Sequence, residues 1–256
     1  HPDFQEGDLA LSMNGWRTAW TAKPEEAMAS KLVDLGLPES IFLGVAGMTG
    51  LTAYAGILEV AGIKKGDTVF VSGAAGAVGS TVVQIAKIKG CTVIGSAGGK
   101  EKCDLVRSFG ADHVIDYKQA DGFEGLVAAL RSAAPKGIDV YFDNVGGDHL
   151  TAAIEVARPM ARFAECGMIA EYNESGTPVG PHNIIQIVGK QIKLQGFIVT
   201  SYLHLQPAFA KDIADWIQAG QMTYKETIVE GIDKAPEAFL GLFSGDNTGK
   251  MLVKLA

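Results

Sequence analysis

Apolar and polar residues alternate in blocks along residues 50–200, and these blocks predict a regular succession of strands and helices. Short β-branched runs, of which TVFVSG from Thr68 is the first, are typical of strands buried on both faces of a sheet. The segments between them show helical apolar spacing, as in STVVQIAKIKG at residues 80–90, which ends at a glycine. Six such strands are counted between Thr68 and Thr200.

Strands that alternate with helices predict right-handed βαβ units on a parallel sheet. Six strands is also the number in a doubly wound dinucleotide-binding domain, so we assign residues 44–205 to an α/β domain of this Rossmann type. The flanks, residues 1–43 and 206–256, hold turn-rich pieces and a final strand, MLVKLA. We interpret them as two parts of a second domain into which the first is inserted. Because the chain starts at His1 in a stretch typical of a domain interior, we expect further residues before it.

Composition excludes several classes of function. The hydrophobic content is 47% and the charged content 20%, which indicates a globular chain. A net charge of −7 without a long basic run argues against nucleic acid or a membrane as partner. The three cysteines are widely spaced and odd in number, which argues against a disulfide scaffold and favours a reducing cytoplasm.

The first βα turn of the predicted sheet is made of small residues, SGAAGAVGS. In the frame G-x-G-x-x-G the positions are Ala74, Gly76 and Gly79, so alanine replaces the first glycine. Gly76 would let a diphosphate approach the backbone, and Gly79 would let the helix lie on the strand. The N–H groups of Ala77 and Val78 would face the anion. The alternative is a glycine-rich turn used only for packing.

The end of the second strand indicates which dinucleotide is bound. An NAD site usually has an acidic residue there for the ribose 2′-hydroxyl, but residues 96–99 read SAGG, and Lys100 and Lys102 follow at once. Small residues and an ammonium group would accept the 2′-phosphate of NADP(H). We therefore predict NADPH/NADP⁺, with Lys102 at the 2′-phosphate. The alternative for either lysine is a solvated helix face.

Seven blocks in order resemble the medium-chain dehydrogenase/reductase superfamily: GMTGLTAYAGI, KKGDTVFVSGAAGAVGSTVVQIAKIKGC, AGGKEKC, DNVGG, AECGMIAEYN, LQGFIVT and GDNTGKMLVKL. Within it they resemble the zinc-independent branch of prostaglandin reductases, leukotriene B4 dehydrogenases, plant double-bond reductases and bacterial curcumin reductases. The resemblance implies a Rossmann domain inserted in a GroES-like β-rich substrate domain, here partial at residues 1–43 and 206–256. It implies NADPH-dependent reduction of the C=C bond of α,β-unsaturated ketones and aldehydes, and a homodimer.

The resemblance also implies the site residues. Residues 76–79 would form the diphosphate loop, residues 166–172 would run along the nicotinamide half, and residues 197–199 would line the nicotinamide and substrate cleft. Tyr117 would lie near the adenosine, and Asn247 would close on the cofactor from the C-terminal part. The complete set of cofactor-binding positions is Gly76, Ala77, Val78, Gly79, Lys102, Tyr117, Asn144, Cys166, Gly167, Met168, Ile169, Ala170, Tyr172, Phe197, Ile198, Val199 and Asn247.

No metal is expected, because the cysteines lack metal-ligand spacing and none follows the Gly7-Asp8 turn where zinc enzymes of the superfamily carry a structural site. Without a metal, a hydrogen-bond donor must stabilise the enolate that forms when hydride adds to the β-carbon. The resemblance makes Tyr172 the catalytic candidate; the alternative is a tyrosine that only packs on the cofactor. His113, His149, His182 and His204 form no cluster and are expected at the surface or in loops.

Two other functions stay open at this point. One is a quinone reductase of the neighbouring zeta-crystallin-like branch, although the blocks CGMIAEYN and AGGKEKC favour the enone reductases. The other is an NADPH-binding fragment without turnover, since the chain starts inside the expected substrate domain. The natural substrate does not follow from these residues.

Overall fold

The structure is a computed structural model that describes residues 1–32, 36–173, 175–176 and 179–255. The strands are β1 Ala10–Leu11, β2 Ser30–Lys31, β3 Thr68–Val71, β4 Thr92–Ala97, β5 His113–Asp116, β6 Ile138–Asp143, β7 Ala157–Glu165, β8 Lys193–Gly196, β9 Glu226–Glu230 and β10 Lys250–Lys254. The α-helices are α1 Met48–Ala55, α2 Ala77–Ile88, α3 Lys100–Ser108, α4 Gly122–Ala133, α5 Gly147–Val156, α6 Gln186–Lys190, α7 Gln206–Gln218 and α8 Ala235–Ser244.

Six of the strands form one parallel sheet in the order β5-β4-β3-β6-β7-β8. The order reverses between β3 and β6, so the connections from these two strands run in opposite directions across the sheet. Such a switch point opens a crevice at the carboxyl ends of the strands, which is where ligands bind in open α/β sheets. The predicted doubly wound fold with six strands is thus confirmed.

Helices cover both faces of this sheet and bury two hydrophobic cores. On one face Val69 and Val71 pack with α1, α2 and α7. On the other face Phe70 stacks on Tyr141 with ring centroids 5.1 Å apart, within a core shared with α4 and α5. Strands buried on both faces explain the continuous apolar runs of the sequence. Full burial of one such side chain contributes about 1.5 to 3 kcal/mol to stability, so these cores stabilise the sheet at whose edge the crevice lies.

Helix α2 begins at Ala77 rather than at residue 80, where its apolar stripe suggested a start. Gly76 is its N-cap with an extended backbone, and the helix continues to Ile88. The first turn contains only small residues because it lies directly on the loop after β3. As a result the end of the glycine run belongs to the helix and places backbone N–H groups at the crevice.

The flanks form two small sheets outside the six-stranded one. Strands β1 and β2 pair antiparallel, and β9 and β10 pair parallel, which confirms the predicted final strand. A bridge between Gly76 and Gly249 brings the C-terminal segment beside the glycine turn, where the Gly249 amide donates to the carbonyl of Ala75 at 3.0 Å. No helix among the described residues is long and apolar enough to cross a membrane.

Candidate cofactor and active site

The glycine turn joins β3 to α2 at the switch point, and its glycines have different surroundings. A Cβ on Gly79 would lie 2.3 Å from the carbonyl oxygen of Gly73, so this position lets the helix contact the strand. A Cβ on Gly76 would meet only that same oxygen, at 3.3 Å, and otherwise open space. No side chain among the described residues caps the helix. Its first N–H groups therefore remain available for an anion.

Cavity A, of about 490 Å³, lies at the carboxyl ends of β3, β4 and β6. Its walls come from the glycine turn, from the ends of β4 and β5, from residues 145–149 and from residues 242–247. Six of the predicted cofactor residues line it: Gly76, Lys102, Tyr117, Ile169, Ala170 and Asn247. An elongated crevice with a glycine turn in its wall is suited to a dinucleotide diphosphate.

Two lysines, Lys102 and Lys118, lie at one end of cavity A. The Lys102 ammonium donates a hydrogen bond to the carbonyl of Gly245. Burial first and the neighbouring Lys118 second lower the pKa of Lys102. The carboxylate of Asp116, which comes from β5 and not from β4, also lies at this end. Its Oδ1 accepts hydrogen bonds from the amides of Gly99 at 2.9 Å and Lys118 at 3.1 Å. The carboxylates of Asp246 and Glu101 also lie near Lys102 and act to raise its pKa. Two ammonium donors beside small residues at this end suit a phosphate.

Cavity B, of about 700 Å³, opens beyond the ends of β7 and β8. Six further predicted residues line it: Cys166, Gly167, Met168, Tyr172, Phe197 and Ile198. The Tyr172 side chain is 62% exposed, and its hydroxyl oxygen accepts a hydrogen bond from the Met168 amide at 3.2 Å. The hydroxyl proton therefore remains free to be donated. Phe197 and Ile198 make one wall apolar.

The loop of residues 144–147 borders cavity A and is fixed by Asp143. Oδ1 of Asp143 accepts hydrogen bonds from the Val145 and Gly146 amides at 2.8 and 2.9 Å. The Asp143 carbonyl accepts from the amides of Cys166 and Gly167 at 3.0 and 3.1 Å. A single buried residue thus ties the wall of cavity A to the wall of cavity B.

Five predicted residues line neither cavity. Asn144 uses its side chain to donate to the Ser72 carbonyl at 2.7 Å and lies beside Gly73 of the turn. The others are Ala77, Val78, Gly79 and Val199. Gly79 is buried against the turn, and Val199 packs against the hydrophobic core at the start of the 3₁₀ helix Val199–Leu205. The cofactor roles of the seventeen predicted positions stay predictions.

Sequence reasoning missed several residues around the cavities, and one prediction about histidines is wrong. His149 was expected at the surface or in a loop, but it lies buried on α5, hydrogen-bonded to Ser96 at 2.9 Å and facing cavity A. Burial lowers the pKa of His149. Gly98 and Lys118 also border the lysine end, and Glu165 borders cavity B. The position of Glu165 at a strand end, directly before CGMIAEY, was the available signal.

The cysteines of the site are poor metal ligands and poor nucleophiles. Burial raises the pKa of Cys166 to about 12, so its thiol stays protonated. Cys91 and Cys103 are buried elsewhere. Among the described residues no group of three or more His, Cys, Asp or Glu side chains is arranged to hold a metal ion.

Comparison with known proteins places the chain in a family. A family model described as zinc-binding dehydrogenase matches residues 77–219. The chain is 45% identical to "2-alkenal reductase (NADP(+)-dependent)" of Nicotiana tabacum, over 100% of the chain and 73% of that protein. It is 45% identical to prostaglandin reductase 1 of Rattus norvegicus, over 98% of the chain and 76% of that protein.

A solved structure agrees with these relatives. The structure of CurA from Vibrio vulnificus in complex with NADPH is 42% identical and superposes with a TM-score of 0.81, covering 89% of this chain and 68% of that one. Identity at this level over most of each partner establishes common descent and a shared fold. The chain belongs to the medium-chain dehydrogenase/reductase superfamily, in the zinc-independent branch of prostaglandin and alkenal reductases.

Proposed function

We propose that this protein binds NADPH in cavity A and reduces the C=C bond of α,β-unsaturated ketones and aldehydes in cavity B. The observation that carries the proposal is the arrangement of the cavities. A crevice with a bare glycine turn and a lysine end lies near an apolar cavity with a tyrosine hydroxyl, and the segment of residues 166–172 borders both of them. The names of the tobacco and rat relatives support this reaction class.

The residues present fit the cofactor. The open space beside Gly76 and the uncapped start of α2 would receive the diphosphate, and Lys102 with Lys118 would hold the 2′-phosphate. Asn247, on the segment that runs beside the turn, would cover it. When bound, NADPH supplies the hydride that adds to the β-carbon of the substrate.

The residues of cavity B would bind the substrate and stabilise the charge that develops on it. Tyr172 would donate its hydroxyl proton in a hydrogen bond to the carbonyl oxygen of the substrate, where negative charge develops as the enolate forms. The Met168 amide strengthens this donor because it gives a hydrogen bond to the same hydroxyl oxygen. The apolar wall of Phe197 and Ile198 would seat the alkene and exclude water from it.

The test is turnover with defined products. The protein is incubated with NADPH and a 2-alkenal, and the product is identified by mass spectrometry. We expect the saturated aldehyde, formed faster than any quinone is reduced under the same conditions. The allylic alcohol as product, a preference for the quinone, or tight NADPH binding without turnover would contradict the proposal.

We propose the domain division made from the sequence, with a nucleotide-binding domain at residues 44–205 and a partial substrate domain at 1–43 and 206–256. The two small sheets of the flanks, which lie outside the six-stranded sheet, support it. Helix α7 packs in the core of the six-stranded sheet and on α1, so the chain would leave the nucleotide-binding domain only after this helix. Limited proteolysis with mass mapping should give first cuts near residue 43; first cuts inside the six-stranded sheet would contradict the division.

A homodimer through the β8 edge of the sheet is also proposed. Among the described residues, strand β8 pairs with β7 alone, and the adjacent segment exposes Ile184, Ile185 and Val188, the last two to 75%. An unpaired strand edge with apolar neighbours is suited to pairing with a second copy. Light scattering after gel filtration should show a dimer, and Ile185→Asp should give a monomer; a monomeric parent protein would exclude it.

We further propose a cytoplasmic location. The three cysteines are unpaired in the structure, as expected in a reducing compartment. Thiol alkylation of freshly lysed cells should label all three after denaturation. Labelling only after chemical reduction would contradict this location.

A further inference from the structure

Two buried carboxyl groups lie side by side at the carboxyl end of the sheet. Asp143 ends β6, Glu165 ends β7, and the two are register partners. They are 0% and 7% exposed. Oδ2 of Asp143 and both carboxyl oxygens of Glu165 have no hydrogen-bond donor within the described part of the chain. Two carboxylates cannot satisfy each other, but one shared proton provides the missing donor.

The proton belongs on Glu165. Oδ1 of Asp143 accepts from the Ser72 hydroxyl at 2.9 Å and the Tyr141 hydroxyl at 2.6 Å, in addition to the amides of Val145 and Gly146. Four donors stabilise a negative charge on Asp143. Glu165 has no comparable donors among the described residues, and burial followed by the charge of Asp143 raises its pKa to about 9.

Other titratable groups around the pair do not change this assignment. Burial keeps the pKa of the Tyr141 hydroxyl well above its ordinary value and that of the Cys166 thiol at about 12, so both stay neutral near pH 9. His149 faces Asp143 from α5, and burial lowers its pKa, so it is neutral as well. The other titratable groups near the pair come from β6, α5, the 166–172 segment and the 3₁₀ helix after β8: Tyr141, His149, Cys166, Tyr172 and Tyr202.

We propose that Glu165 is a positioning residue of the cofactor site, whose protonated carboxyl donates a hydrogen bond to Oδ2 of Asp143 and thereby holds the loop 144–147 in place. The proposal rests on the proposed function, because this loop then borders the bound nucleotide. Loss of the proton would place two negative charges side by side in a buried site. Asp143 would turn toward water or toward other donors, and the amides of Val145 and Gly146 would lose their acceptor.

Glu165 does not itself protonate the substrate. Its carboxyl oxygens are fully buried although the residue borders cavity B. Transfer of its proton to the α-carbon would also leave two adjacent buried carboxylates, which the site cannot stabilise. Its effect is therefore on the binding of the cofactor and acts through Asp143.

The test measures the NADPH dissociation constant by fluorescence between pH 7 and pH 10 for three proteins. They are the parent, Glu165→Gln, whose amide can donate to Asp143 at every pH, and Glu155→Gln as control. Glu155 lies on α5 but its carboxylate pairs with Arg131 at 2.8 Å and not with Asp143. The probe 2′,5′-ADP would occupy only the Lys102 end of cavity A. The pH dependence of its binding would therefore report the titration of Lys102 without that of Glu165.

At pH values above about 9, we expect the NADPH dissociation constants of the parent and of Glu155→Gln to increase more steeply than that of Glu165→Gln. The additional increase should be up to tenfold per pH unit. The 2′,5′-ADP curves should coincide for all three proteins. The infrared band of a protonated carboxyl group should be present in the parent at neutral pH and fade over the same pH range. This band keeps the test decisive if Glu165→Gln fails to fold.

Two results separate the inference from the proposed function. Coincident NADPH curves for the parent and Glu165→Gln, or an infrared band that disappears below pH 7, would overturn the role of Glu165 while NADPH binding stands. Failure of the parent to bind NADPH at any pH would overturn the proposed function and this inference with it.

Discussion

The two glycines of the first βα turn should respond differently to the same substitution, Gly→Ala. At Gly79 the added Cβ would lie 2.3 Å from the carbonyl oxygen of Gly73 and 2.9 Å from Cα of Ala74. Both neighbours are backbone atoms, so helix α2 must move away from the strand. We expect a loss of about 1 to 3 kcal/mol in the free energy of unfolding, the usual cost of overpacking.

At Gly76 the added methyl group meets one protein atom, the carbonyl oxygen of Gly73 at 3.3 Å, and points otherwise into open space. The backbone φ of −80° suits alanine, so the free energy of unfolding should fall by no more than about 1 kcal/mol, the cost of alanine at an N-cap. The methyl group would, however, occupy the space of the diphosphate. Loss of one charge-assisted hydrogen bond costs about 1.5 to 3 kcal/mol, which weakens NADPH binding about 10- to 150-fold.

Urea unfolding and NADPH titration of both variants check this pair. Gly76→Ala should lose affinity and keep stability, and Gly79→Ala should lose stability. If Gly76→Ala bound NADPH as tightly as the parent, the diphosphate would not lie against this turn, and the glycine run would serve packing alone.

The remaining predictions concern single side chains. Lys102→Met should weaken NADPH binding about 10- to 150-fold and leave NADH binding unchanged, because only NADPH carries the 2′-phosphate; equal losses for both cofactors would contradict this. Tyr172→Phe should lower kcat about 10- to 100-fold with an unchanged NADPH dissociation constant, since it removes one donor to the developing charge; an unchanged kcat would leave Tyr172 a packing residue. The fold raises the pKa of Glu165 from 4.5 to about 9, so its contribution to stability is complete below pH 4.5 and is lost as the pH rises to about 9. Glu165→Gln lacks this titrating group. In urea unfolding, its free energy of unfolding relative to that of the parent should therefore increase by up to about 1.4 kcal/mol per pH unit between pH 5 and pH 9. Parallel pH profiles of the two proteins would refute this prediction.

The sheet was predictable from the sequence because burial on both faces leaves continuous apolar runs such as TVFV before each small-residue turn. The order of the strands and the switch point follow from the βαβ rule together with the glycine turn. The sequence predicted that Lys102 lies near the end of β4, and it lines cavity A from the first turn of α3 because only four residues separate it from that strand.

The features that were missed depend on contacts between distant segments. Glu165 and Asp143 meet only because β6 and β7 are neighbours in register, which no periodicity reveals. His149 can be buried because its Nε2 is hydrogen-bonded to the hydroxyl of Ser96, which lies 53 positions earlier in the chain. Asp116 reaches the lysine end from β5, although the end of β4 carries no carboxylate. Val199 begins a 3₁₀ helix and packs on the core, and its predicted place in the cleft stays a prediction.

The most direct test of the central claim compares the affinities of the parent protein for NADPH and NADH under one set of conditions. The lysine end of cavity A should make NADPH bind at least about tenfold more tightly, since the 2′-phosphate adds a charge-assisted contact. Equal affinities, or a preference for NADH, would contradict the assignment of cavity A as an NADPH site.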